Sequence, residues 1–186
     1  MQSTITHIDD LIEGCRRGNQ RAQLEIYNRF CKAMYNTALR IVHDNAEAED
    51  IMQESFISAF EKIGSFNADA SFGAWLKRIV INNSISVYNK KYRYKEISYT
   101  DYFKTEVEEP YSDIAVEEDK SEKARKILKA MESLKENYRI SLTLYLIEGY
   151  DYDEISQILN LSYANCRTTI SRAKESLRNK MMKDEK

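Results

Sequence analysis

Apolar residues recur at three- and four-residue steps along most of this chain, and the interruptions fall on residue types that start or stop helices. Ile8 to Cys15 has the periodicity of a short helix that Gly18 and Asn19 close. Asn19 is then placed to cap a longer helix reaching about Val42. Within it Tyr27, Phe30, Met34, Ala38 and Ile41 share one stripe, which predicts a core-facing side. Asp44 followed by Glu47 gives a capping-box pattern ahead of Ile51, Met52, Phe56, Ala59, Phe60 and Ile63. Residues 64–70 read as a turn, after which Ser71 opens a helix with Phe72, Trp75, Leu76, Ile79 and Val80 on its buried side. Trp75 has the spacing of a core residue, although an exposed tryptophan would also suit base stacking.

The periodicity lapses from Tyr99 to Asp119, where Pro110 and the run Glu106, Glu108 and Glu109 have the composition of a linker. A flexible stretch of about 25 residues averages roughly 30 Å end to end and reaches roughly 80 Å when extended. It can hold two modules on separate segments of a long ligand. Beyond it, Ser121 to Leu134 is helical, with Ala124, Ile127, Leu128, Met131 and Leu134 on one face, and a second helix runs from Glu136 to Ile147. Asp151 and Glu154 form another capping pattern ahead of Ile155, Ile158 and Leu159, and Asn160 suits the left-handed conformation that ends a helix. Ser162 then caps a last helix from Tyr163 to about Met181. With one Pro and 5 Gly in 186 residues, nothing punctuates the chain often enough for many short strands. The expected fold is all-α: two small helical domains joined by an acidic linker.

Composition narrows the chemistry. Cys15, Cys31 and Cys166 are odd in number and widely spaced, so they read as reduced packing residues, not as a disulfide framework or a zinc site. His7 and His43 have no neighbours at metal-ligand spacing, which also removes the usual general base. No metal or other cofactor is expected. No stretch approaches the roughly 20 apolar residues of a membrane span, and the first ten residues lack a signal-peptide pattern, so no membrane insertion and a cytoplasmic location are expected.

A net charge of -2 argues against a protein that coats nucleic acid unaided, because nonspecific affinity comes from neutralising phosphates. The distribution is more telling than the sum. Between Phe72 and Ile97 stand Lys77, Arg78, Lys90, Lys91, Arg93 and Lys95 against the single Glu96, then an acidic block follows, and Tyr163 to Lys183 is basic again. Two basic blocks on either side of an acidic connector suggest two DNA-facing surfaces, the plain alternative being solvated helix faces.

Asp151 to Arg178 has the grammar of a helix-turn-helix: a short capped helix, a tight turn at Asn160 and Leu161, then a longer helix with a basic exposed face. Cys166, Ile170, Ala173 and Leu177 can pack inward. That leaves Asn165, Arg167, Thr168, Thr169 and Arg172 to meet bases or phosphates, with Lys174 and Arg178 further along for the backbone.

Together these segments resemble a known family over nearly the whole chain. The stretches "NAEAEDIMQESFISAFEKIGSF" and "SFGAWLKRIVINNSI" look like the second region of ECF (extracytoplasmic-function) sigma factors. "AMESLKENYRISLTLYLIEGYDYDEISQILNLS" and "CRTTISRAKESLRNK" resemble their fourth region. The resemblance implies a region 2 domain over residues 1–97, a linker over 98–120 and a region 4 domain over 121–186. It also implies that the chain binds core RNA polymerase and directs initiation at promoters without catalysing anything. Glu47, Asp50, Gln53, Glu54 and Phe56 would dock on the coiled coil of the polymerase's largest subunit, and the fourth region on the flap of the second-largest. The loop from Ser65 to Ser71 and the helix after it would capture the minus-ten element as it melts, one base flipped into a pocket. Asn82, Asn83 and Asn89 would serve base edges there, and Lys77, Arg78, Lys90, Lys91 and Arg93 phosphates. The helix-turn-helix would take the minus-thirty-five element, and an anti-sigma protein would be a further partner.

Some residues depart from the pattern. Many relatives have an acidic residue at Ser86 and a basic one at Asn89, which leaves the exact minus-ten sequence open, and an arginine at Thr169, so altered preference at the minus-thirty-five element is expected and not loss of binding; Lys135, where a proline often stands, weakens the motif only slightly. Two other classes remain open on residues alone. A helix-turn-helix regulator with a helical sensor domain would bind duplex DNA without polymerase. An enzyme such as a nucleic-acid hydrolase lacks a credible site, since the sequence has no P-loop and no H-E-x-x-H and its many carboxylates show no distinguishing metal-ligand pattern.

Overall fold

A computed structural model describes residues 7–98 and 122–184, and these contain helices and connecting turns with no strand. The chain divides into two compact units, Met1–Ser98 and Tyr99–Lys186. The expected acidic linker, residues 98–120, lies outside the described residues apart from Ser98.

The first unit is built from α1 (Ile8–Arg16), α2 (Gln20–Val42), α3 (Asn45–Glu61), a single 3-10 turn (Ile63–Ser65) and α4 (Phe72–Ser98). Its helix starts follow local chemistry. Asn19 accepts hydrogen bonds from the amides of Arg21 and Ala22, so two donors that α2 leaves over are satisfied at its first turn. His43 ends α2 in the left-handed region at a φ of 55°. Asp44 accepts from the Glu47 amide at 2.9 Å, but the other half of that predicted capping box is replaced. The Glu47 carboxylate turns instead to Lys91 on α4, 2.9 Å from its ammonium.

The α2, α3 and α4 helices pack mutually around Ile26, Ala38, Ile51, Phe56, Leu76 and Val80, all nearly or fully removed from solvent. Each such large side chain contributes about 1.5–3 kcal/mol through burial. Aromatic rings tie the elements together: Tyr27 meets Phe56 at 4.9 Å between centroids, Phe30 meets Phe72 at 5.6 Å, and Phe66 meets Trp75 at 5.4 Å. Trp75 is therefore a packing residue, as its spacing predicts. A second cross-link is polar: the Asn83 amide donates to Ser55 Oγ at 2.9 Å, and Ser55 donates to the Ile51 carbonyl at 2.6 Å.

Short as it is, α1 is fixed firmly. Leu11, Ile12 and Cys15 are buried, and Gly14 lets the helix lie so close to α2 that an added Cβ would stand 2.8 Å from the Cβ of Ala22. Burial pushes the Cys15 thiol above its ordinary pKa, as it does for Cys166 with a smaller contribution from Asp153, which fits inert packing residues.

In the second unit α5 (Glu122–Glu132), α6 (Glu136–Leu142) and α7 (Tyr152–Leu159) all pack against α8 (Tyr163–Asp184). The predicted stripe of Cys166, Ile170, Ala173 and Leu177 is buried, as are Ile140, Leu142, Leu144 and Ile155 in the same unit. Asp151 and Glu154 close a complete capping box, and Asn160 ends α7 at a φ of 53°. The helix expected from Glu136 to Ile147 has that length but not that winding. From Thr143 to Ile147 it widens to a π-helical turn, with the Glu148 amide bonding the Thr143 carbonyl five residues back at 3.0 Å. The widened turn keeps Leu142 and Leu144 fully buried while Tyr145 stacks on Tyr152, 5.3 Å between centroids. Beside it, buried Arg139 donates to the Glu136 carboxylate at 2.5 Å, so its charge is paired as it leaves water.

The close approach at Gly14 has a measurable sign. Helix propensity alone would favour Gly14→Ala by about 1 kcal/mol. Crowding against Ala22 instead predicts destabilisation of the first unit by about 1–3 kcal/mol. Trp75 is the only tryptophan and lies in that unit, so its fluorescence during urea unfolding reads the change. A midpoint that stays or rises contradicts the packing described.

Candidate functional site

Three surfaces follow from how the helices are rotated by their buried stripes. On α3, Ala48, Ile51, Met52, Ser55 and Phe56 face inward, which turns Asp50, Gln53 and Glu54 fully outward and leaves Glu47 half-buried in its pair with Lys91. Phe56 differs from the expectation that it joins this face. It is 2% exposed and packed between Tyr27 and Phe60, so it supports the surface from beneath. The apolar residue on the outside is Ile57, 60% exposed, one turn from Gln53 and Glu54. Sequence reasoning missed it because an apolar residue beside Phe56 reads as more core; only the rotation of α3 separates the two.

On α4, Asn82, Ser86 and Asn89 lie at helical spacing on one exposed stripe, with Lys90 beside it. Lys77 and Arg78 are half-buried nearer the start of the helix. Asn83 is half-buried, and one donor of its amide goes to Ser55, which holds α4 to α3. Lys91 is exposed but engaged with Glu47. Arg93 is on the same helix, and its side chain lies outside the described residues.

The loop ahead of α4 is shaped rather than slack. Phe66 is buried against Phe72 and Trp75, Ser71 Oγ accepts from the Ala74 amide at 3.3 Å, and between them Ala68 adopts a φ of 60°. A left-handed alanine is uncommon, because its Cβ crowds the backbone. Asn67 donates to Asp69 across this crest at 2.5 Å.

On α8, Asn165, Arg167, Thr168, Arg172 and Arg178 are exposed and Thr169 is half-buried. Thr168 donates its hydroxyl back to the Ala164 carbonyl at 2.9 Å, keeping oxygen lone pairs outward. Lys174, expected to contact the DNA backbone, is half-buried beside two tyrosines. Its ammonium sits 3.9 Å from the centroid of the Tyr145 ring and 3.4 Å from the Tyr152 hydroxyl. Burial pulls its pKa down, but hydrogen bonding to the two tyrosines outweighs this and raises it, while Lys174 in turn lowers that of Tyr145. The cation thus ties α8 to α7 and to the π turn.

Nothing among the described residues gathers three or more His, Cys, Asp or Glu into a possible metal site. His7 pairs with Asp9 at the surface and His43 is a helix terminus. No helix among the described residues is long and apolar enough to cross a membrane.

Comparison with known proteins agrees with this division. Residues 26–94 match the Sigma-70 region 2 family and residues 124–177 the Sigma-70, region 4 family, one in each compact unit. The ECF RNA polymerase sigma-E factor of Escherichia coli (strain K12) is 30% identical over 177 residues, covering 92% of each chain. The RNA polymerase sigma-H factor of Pseudomonas aeruginosa is 29% identical over 173 residues, covering 90% of each. Among solved structures, the sigma factor RpoE from Bartonella quintana in complex with the anti-sigma factor NepR aligns at a TM-score of 0.55 and 20% identity, covering 85% of this chain and 95% of that one. CnrH in complex with the cytosolic domain of CnrY aligns at 0.54 and 22%, covering 94% and 96%. An independent helix-turn-helix regulator would have the fourth-region unit without the second; carrying both in order, the chain belongs to the ECF RNA polymerase sigma factors, which direct transcription to promoters.

Proposed function

We propose that the work of this sigma factor is divided among the three surfaces, each binding a different partner, with no bond made or broken by the chain itself. The outward face of α3, with Asp50, Gln53, Glu54 and Ile57, docks on the coiled coil of the largest subunit of core polymerase. The second unit rests on the flap of the second-largest. Acidic residues around one exposed apolar side chain suit a polar interface with a small buried centre.

The loop 65–71 and the exposed stripe of α4 take the minus-ten element as it opens. Asn82 and Asn89 offer paired donors and acceptors to base edges, while Lys77, Arg78, Lys90 and Arg93 neutralise phosphates. Contacts available only to the unpaired strand favour melting by mass action: extruding a base costs a few kcal/mol, which such contacts offset. The α8 face, with Asn165, Arg167, Thr168, Thr169, Arg172 and Arg178, enters the major groove at the minus-thirty-five element. The observation that carries this reading is the exposed basic face of α8, held by a fully buried opposite stripe inside a complete helix-turn-helix.

The factor works in the cytoplasm, and an anti-sigma protein that covers these surfaces would hold it inactive. Support for such a partner comes from RpoE, which was solved with one. Reconstituted run-off transcription tests the assignment: core polymerase with this chain should initiate at a cognate promoter, and core alone should not.

Two sets of substitutions should separate the surfaces. Arg167→Ala and Arg172→Ala are each expected to lower promoter-dependent run-off by about 5- to 150-fold, the equivalent of about 1–3 kcal/mol per base contact, with core affinity unchanged. Asp50→Ala and Glu54→Ala should weaken core binding in a pull-down titration while second-unit contacts to DNA persist. Loss of core binding in both sets contradicts the division.

The tyrosine-held Lys174 gives a further expectation. Each phosphate contact adds about 0.9 to the slope of log affinity against log salt. Arg178→Ala should therefore reduce the slope for holoenzyme on promoter DNA by about one. Lys174→Met should leave it unchanged, and a reduction there would restore Lys174 to the phosphate contacts.

A further inference from the structure

The loop that carries the minus-ten reading is gripped from a helix that the family match does not include. The Sigma-70 region 2 match begins at residue 26, and α1 ends at Arg16. From there the Arg16 guanidinium reaches 50 residues along the chain and donates from Nη2 to the Phe66 carbonyl at 2.6 Å. Its other nitrogen, Nη1, lies 3.5 Å from the Glu13 carboxylate, so the fork is oriented from behind by its own helix. A charged donor on a carbonyl is among the stronger hydrogen bonds a protein makes.

Both ends of this contact are rigid. Arg16 is carried by α1, whose Leu11, Ile12 and Cys15 are buried and whose Gly14 lies so close to α2 that an added Cβ would stand 2.8 Å from the Ala22 Cβ. Phe66 is buried by Phe72 and Trp75, and its amide bonds the Ile63 carbonyl at 3.2 Å. On the far side Ser71 is fixed as the cap of α4. Only residues 67–70 remain between the two clamps, and within them Ala68 is held in the left-handed region with Asn67 bonded to Asp69. A backbone strained at one residue persists where its surroundings over-determine it, and Arg16 supplies one side of that constraint.

We propose that Arg16 is a positioning residue for promoter recognition: by holding the Phe66 carbonyl it sets the height and tilt of the 67–70 crest that meets an unpaired minus-ten base. The proposal rests on the reading that this loop is the base-capturing element. Arg16 itself touches no DNA. Its loss frees the start of the crest, so binding weakens most for the base that the crest discriminates.

The test uses holoenzyme and fork-junction DNA whose nontemplate strand is unpaired through the minus-ten element, with each base of that element varied in turn. Arg16→Met, Arg16→Lys and the pair Asn67→Ala with Asp69→Ala are compared for affinity, for core binding and for the unfolding midpoint read by Trp75. Arg16→Met should weaken the preferred fork by about tenfold and flatten base preference at one position, with core affinity unchanged. Arg16→Lys, whose ammonium can donate to the same carbonyl, should recover most of that preference. The loop pair should flatten preference at the same position. An unchanged preference profile in Arg16→Met, while the loop pair alters it, overturns the positioning role alone. A loss that is equal at every position and tracks a lowered midpoint also overturns it, because that is the signature of a merely structural arginine. If the loop pair itself leaves every preference intact, the capture reading fails and the proposal falls with it.

Discussion

The rotation of each helix about its own axis governs what this protein can present. A helix has one surface, and in α3, α4 and α8 part of it is spent on a core of large apolar side chains at three- and four-residue spacing. Once Ile51, Met52, Ser55 and Phe56 turn inward, Asp50, Gln53, Glu54 and Ile57 have only one direction left. The same holds on α8, where Cys166, Ile170, Ala173 and Leu177 fix the direction of Arg167 and Arg172. Slipping either helix by a single residue would rotate its outward face by about 100° and bury charge. Packing therefore sets the direction in which each exposed face points.

Cross-links between helices sharpen that constraint. Asn83 with Ser55, Lys91 with Glu47, and Lys174 with the two tyrosines each fix one helix against another through a polar contact. The Glu47 and Lys91 pair is largely exposed, so it contributes at most about 1 kcal/mol. Its interest lies in location, since it joins the helix proposed to dock on polymerase to the one proposed to meet the promoter. The Asn83 bond is better shielded and connects the same two helices.

Helix ends were legible in the sequence because they depend on neighbours a few residues away. Asn19, Asp44, Asp151, Asn160 and Ser162 all act at the termini where their types and spacing place them. The apolar stripes were equally legible, since periodicity encodes them directly. What spacing does not encode is the partner across the fold. Glu47 completes a capping box on paper but meets a lysine 44 residues away; Asn83 and Lys174 read as surface groups until the helices opposite them are in place. Phe56 falls in sequence beside an acidic face that it supports from below, and the grip of Arg16 on Phe66 spans 50 residues with no local signature. The π turn at Thr143–Ile147 likewise has no local signature; it coincides with a buried Leu144 and a Tyr145 stacked on Tyr152.

The chain as a whole carries a net charge of -2, so it lacks the overall positive charge of a protein that coats DNA unaided. On the proposed reading, promoter recognition comes from two modest surfaces acting together on one duplex once polymerase holds both. Fluorescence anisotropy of labelled fork-junction promoter DNA, titrated with the chain alone and with its complex with core polymerase, measures this dependence directly. The complex should bind the cognate fork with clear preference over a scrambled one, and the free chain should bind both weakly and alike. Equal discrimination by the free chain, or no association of the chain with core polymerase in mild salt, would contradict it.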